Sequence, residues 1–110
     1  MKPLLKFFHE HLLALDFTLV EDKVLDRFWR YHTPGSDGND QWVEMYEKQN
    51  LLLVDLYFDT FEKEKLAFYG TYFAEEEADY RRRLNAALRK VGYAPAIQRH
   101  RQAVLAALLD

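Results

Sequence analysis

Between Gln41 and Phe58 the order of apolar and polar positions reads as two β-strands joined by a two-residue turn at Gln49-Asn50. Such a turn fixes register, because a slip of one residue would send every side chain to the other face. With Lys48 set against Leu51, Met45 faces Val54, Val43 faces Leu56 and Gln41 faces Phe58, and this apolar face is the expected core. The other face sets Tyr46 against Leu53, Glu44 against Asp55 and Trp42 against Tyr57. Two opposed carboxylates repel unless a cation or a proton is at hand.

The remaining elements follow from spacing. Pro3 suits a first helical turn, and Leu4, Phe8, Leu12 and Leu15 recur at helical intervals, which predicts a helix over 3–15. Phe17–Val20 reads as a short strand or an extended link. Val24–Thr33 is rich in β-favouring residues and predicts a strand, followed by the turn signal Pro34-Gly35-Ser36-Asp37-Gly38-Asn39. Strands are expected at 41–48, 51–59 and 66–74, with Gly70 marking a bulge or a close approach. Residues 75–91 predict a second helix, with Tyr80, Leu84, Ala87, Leu88 and Val91 in one stripe and Gly92 as its stop. Pro95 predicts a third helix carrying Ile97, Val104, Leu105, Leu108 and Leu109. Grouped strands between terminal helices indicate an α+β domain: an antiparallel meander of about four strands, an N-terminal helix and two C-terminal helices. The first two helices are expected on the apolar face. The third is expected on the other face or on a second chain.

Register extends to the neighbouring strands. Thr33 against Gln41 places Trp29 and Tyr31 in the core, Arg30 opposite Glu44 and His32 opposite Trp42. Thr33 against Asp40 would swap those faces. The first is preferred, because it buries two large rings, about 1.5–3 kcal/mol per large side chain, and gives the acids a cation. Phe58 against Leu66 would bring Tyr69 opposite Asp55 and Thr71 opposite Leu53. The outer face is then expected to carry a row Arg30–Glu44–Asp55–Tyr69. His32, Trp42 and Tyr57 flank it on one side, and Phe28, Tyr46, Leu53 and Phe73 on the other. The candidate binding residues are Arg30, His32, Trp42, Glu44, Tyr46, Asp55, Tyr57 and Tyr69. Arg30 beside the two acids is expected to keep both ionised.

A length of 110 residues fits one domain, and 17 aromatic residues suit a packed sheet, an interface or both. With no cysteine, disulfides, thiolate metal sites and thiol catalysis are excluded, and a reducing, cytoplasmic setting is expected. The apolar start of the chain is broken by His9-Glu10-His11 and lacks a small-x-small cleavage site, so neither a signal peptide nor a membrane span is expected. Residues 1–80 hold 17 acids against eight Lys/Arg, net −9, and residues 81–110 hold seven Lys/Arg against one acid, net +6. Acids at the start of the second helix and bases at its end complement its dipole, which accounts for most of this split. Arg81–Arg83 with Arg99 and Arg101 could form a phosphate-binding patch, but three consecutive arginines fan over about 200° of a helix, and no RNA-binding aromatic signature accompanies them.

His9 and His11, two apart on a helix, point away from each other and cannot share a metal. No phosphate-binding glycine loop, HExxH or GxSxG motif occurs, and Ser36 alone could serve as a serine nucleophile. No cofactor is expected and the reading leans away from an enzyme. The expectation is a small interaction module that binds a partner protein or its own copy. A small-molecule pocket on the outer face is the alternative, and a nucleic-acid accessory the third reading.

Overall fold

The alternation at the centre of the chain becomes a five-stranded antiparallel sheet. The computed structural model describes residues 1–34, 40–58, 63–91 and 108. Helix α1 (Pro3–Ala14) leads into β1 (Thr18–Lys23), β2 (Phe28–Thr33), β3 (Gln41–Lys48), β4 (Leu51–Phe58) and β5 (Glu64–Tyr69), and α2 (Glu77–Lys90) follows. The strands lie side by side in chain order, an uninterrupted meander.

Two of the expected registers are the observed ones. β3 and β4 pair from Gln41↔Phe58 to Lys48↔Leu51, and β2 meets β3 from Phe28↔Tyr46 to Thr33↔Gln41. Gln49, first residue of the turn between β3 and β4, has φ 56°. A side chain there costs about 1–2 kcal/mol against a right-handed residue, and glycine would give back about 0.4–1 kcal/mol through unfolded-state entropy. Gln49→Gly should therefore raise stability by roughly 0.5–1 kcal/mol in urea melts. A loss of stability would mean that the Gln49 side chain supports the turn.

Three expectations need correction. The sheet has five strands, not about four, because β1 is a full partner of β2. The strand expected from Val24 starts only at Phe28. Val24–Asp26 is a single 3₁₀ turn, and Arg27 at φ 53° reverses the chain, so the apolar Val24-Leu25 pair caps a hairpin with Leu25 fully exposed. The β4–β5 register is also displaced by four residues, with Val54, not Phe58, opposite Leu66. A shift of four leaves every residue on its expected face, so hydrophobic pattern cannot detect it. Backbone contacts can: the Gly70 N–H donates to the Asn50 carbonyl at 2.6 Å, and a β-carbon on Gly70 would stand 3.1 Å from that oxygen. That is the close approach for which a glycine was expected. It ends β5 at Tyr69 rather than at Ala74. The two-helix C-terminal layout is seen in part. α2 begins after a 3₁₀ turn at Ala74–Glu76, and the third expected helix, Leu108 apart, lies outside the described residues.

One face of the sheet is the core. Leu4, Leu5, Phe8 and Leu12 of α1 and Tyr80, Leu84, Ala87 and Leu88 of α2 pack with Trp29, Tyr31, Val43, Met45, Leu52, Val54, Leu56 and Phe68 in a single buried cluster. Phe8 sits at the junction, its ring 4.8 Å from Phe68 and 5.8 Å from Tyr80 between centroids. Polar contacts lock the layers. His9 Nδ1 lies 2.6 Å from the Tyr31 hydroxyl, and His11 Nε2 lies 3.0 Å from Asn85 Oδ1, which ties α1 to α2. Both histidines are thus packing residues. Burial pushes the Tyr31 hydroxyl's pKa well above the ordinary phenol range. No helix among the described residues is long and apolar enough to cross a membrane.

Candidate functional site

With both described helices on the core face, the opposite face carries the residues singled out by pairing. Alternation along β2, β3 and β4 points Phe28, Arg30, His32, Trp42, Glu44, Tyr46, Leu53, Asp55 and Tyr57 to that side. A charged row crosses all five strands: Glu21, Arg30, Glu44, Asp55 and Lys65. Arg30 is its hinge. Its Nη2 and Nε donate to Glu44 Oε2 at 2.9 and 3.3 Å, and its Nη1 donates to Glu21. Lys63 Nζ stands 3.4 Å from the other Glu44 oxygen. Two cations thus hold one carboxylate that is only 6% exposed, the condition under which a buried charge is tolerated. The Arg30 pKa is raised, chiefly by its hydrogen bond to Glu44.

Asp55, 8% exposed, is served differently. Burial raises its pKa and the nearby Glu44 adds to the rise, while Lys63, Lys65 and the hydrogen bond with Tyr46 oppose it. The Arg30 guanidinium turns to Glu44 and Glu21 and leaves Asp55 to Tyr46 and the lysines. Unequal environments of this kind are what paired carboxylates need for acid–base work. Three clefts lined by described residues lie elsewhere: about 630 Å³ beside Lys2, Asn50 and Gly70, about 560 Å³ beside Asp22 and Trp29, and about 490 Å³ between β5 and α2.

Rings border the row. Trp42 and Tyr57 stack across β3 and β4 with centroids 6.3 Å apart and planes 13° from parallel. His32 leans on Trp42 at 4.6 Å, and its Nε2 is 3.2 Å from Asp40 Oδ1, close enough to pair when the ring is protonated. Lys63 lies over Tyr57 at 5.0 Å and Arg30 over Phe28 at 5.3 Å, both within cation–π range. Burial raises the pKa of both Tyr46 and Tyr57, with the neighbouring carboxylates adding to it.

Seven of the eight candidates, Arg30, His32, Trp42, Glu44, Tyr46, Asp55 and Tyr57, share one neighbourhood. Tyr69 does not join the row. It pairs with Leu51 at the far end of β5 and is 80% exposed, and Lys65 takes the place opposite Asp55. Glu21, Lys63 and Lys65 are the members that pairing did not find. Glu21 reaches Arg30 only because the β1–β2 register shifts between Leu19 and Glu21. Lys63 lies just before β5, and only the folded chain brings it to Glu44. Among the described residues no group of three His, Cys, Asp or Glu side chains is placed to hold a metal ion, and His32 turns to Trp42 and Asp40 rather than to the acids. No protein-family model, curated protein or solved structure matches the chain.

Proposed function

We propose that the chain is a small protein-interaction module that engages a partner protein through the outer face of its sheet. The observation that carries this reading is the charge network Lys23–Glu21–Arg30–Glu44–Lys63 set among half-buried rings. Charges neutralised by one another present little net charge to a partner, while Trp42, Tyr57 and His32 offer rigid contact area with polar edges. Aromatic and Arg-rich patches of this composition are enriched where proteins meet. The cysteine-free composition supports a partner in a reducing compartment such as the cytoplasm. A photo-cross-linking residue placed at 42 or 57, and at Arg89 on the exposed side of α2 as control, tests the reading in cells that make the protein. Cross-links to a defined protein from 42 and 57, absent from 89, are expected. Equal yields at all three positions would sink it.

A further inference from the structure

The two edges of the sheet are built differently. β1 is interrupted by its register shift and carries Glu21, Asp22 and Lys23 in succession, devices that discourage pairing with another strand. β5 is six residues long and pairs with β4 without a bulge. Among the described residues no strand pairs with its other side, which can be read from two bonds. The Gly70 N–H points inward to Asn50, whereas the Ala67 carbonyl accepts from Arg83 Nη2 on α2 at 3.1 Å. Backbone groups alternate along an antiparallel strand, so Lys65, Ala67 and Tyr69 turn their N–H and C=O groups away from β4. All three residues are exposed, and the cleft of about 490 Å³ that Ala67 and Tyr69 line with Asp79 and Arg83 of α2 follows this edge.

We propose that β5 pairs antiparallel with β5 of a second copy about a two-fold axis at Ala67, joining two sheets into one of ten strands. This edge shares Lys65 with the outer-face row, but pairing along it does not depend on the function proposed for that face. Charge selects the occupant. Among the described residues, one end of the edge carries Lys63, Lys65 and Lys90 with Glu64, and the other carries Glu76 and Asp79, with Arg82 paired to Asp79 and Arg83 in the same cleft. An antiparallel two-fold brings the lysine end of each copy to the Glu76 and Asp79 end of the other. Ala67 then faces Ala67 of the partner, with two hydrogen bonds between them, and Lys65 faces the partner's Tyr69, whose exposed ring covers the lysine stem. Arg83 gives up the Ala67 carbonyl and keeps its seat over Phe68, 4.2 Å from the ring centroid.

Sedimentation equilibrium of the full chain tests the pairing. Wild type should dimerise reversibly. Ala67→Pro removes only an outward N–H, so circular dichroism should be unchanged while the dissociation constant rises about tenfold or more. Lys65→Glu and Glu76→Lys should each weaken the dimer severalfold, and the double variant should recover it. The double variant also decides the matter if Ala67→Pro fails to fold. A wild-type chain that stays monomeric at every attainable concentration, a dimer indifferent to Ala67→Pro, or a double variant no better than its parents would overturn the proposal. So would a dimer abolished by Trp42→Ala and untouched by the β5 changes, which would place self-association on the outer face.

Discussion

Phe8→Ala should cost about 3–5 kcal/mol, the range for removing a large ring from a packed core. Phe8 is 1% exposed and stands where α1, α2 and β5 meet, against Phe68, Tyr80 and Phe7. None of these elements can move in to fill the void alone. α1 is tied to α2 by His11 and to β2 by His9, and the Arg83 guanidinium lies over Phe68, 4.2 Å from its ring centroid. For a domain whose total stability is about 5–15 kcal/mol, this removes about a fifth of it or more. The melting temperature should fall by roughly 10–25 °C on the usual scaling for a domain of this size. Phe7→Ala is the matched control. Phe7 is only partly buried, with Arg81 over its ring at 5.0 Å, and its loss should cost less than half as much. A Phe8→Ala protein melting within a few degrees of wild type would mean that the two helices do not share one core.

The same residues show why some of the fold was legible beforehand. Where a two-residue turn fixes register and only one parity buries the large rings, alternation alone determines the partners, and from Phe28 to Phe58 the cross-strand pairs are those that the sequence implies. The β4–β5 pair has neither constraint. Its connection is longer, and registers two or four residues apart all place Leu66 and Phe68 in the core. The choice rests on Lys65 meeting Asp55 and on the Gly70 backbone meeting Asn50, which become visible only with the chain folded. β1 was obscured in another way. Val24 and Leu25 have strand-forming side chains but occupy a turn, so local preference pointed to the wrong segment and tertiary pairing of Thr18–Lys23 with β2 decided. In the candidate site, pairing rules located the acids and Arg30. They did not foresee that Arg30 would divide itself between Glu44 and Glu21, because the second partnership depends on a bulge.

That division makes Arg30→Ala the most informative change on the outer face. Removing one partner of a fully buried ion pair costs about 3–5 kcal/mol; with Arg30 about 30% exposed and Lys63 still near Glu44, about 1–3 kcal/mol is expected at neutral pH. The pH dependence carries the sign. Asp55 already has a raised pKa in the folded protein, so folding favours its protonated form, and its ionisation subtracts stability as pH climbs through that value. Without Arg30, Glu44 has lost its main counter-charge and the repulsion between the two acids grows. The deficit of the variant should therefore be full at neutral pH and shrink as the solution is taken down towards the ordinary carboxylate range, where one of the pair accepts a proton. Asp55→Asn in the Arg30→Ala background should remove most of that pH dependence, since a single carboxylate has no like charge to face. Denaturant melts at several pH values between neutrality and mild acid measure both. An Arg30→Ala deficit that stays constant over that range, or one that Asp55→Asn leaves unaltered, would show that the two acids do not interact across β3 and β4, and the charged row would lose its meaning as a unit.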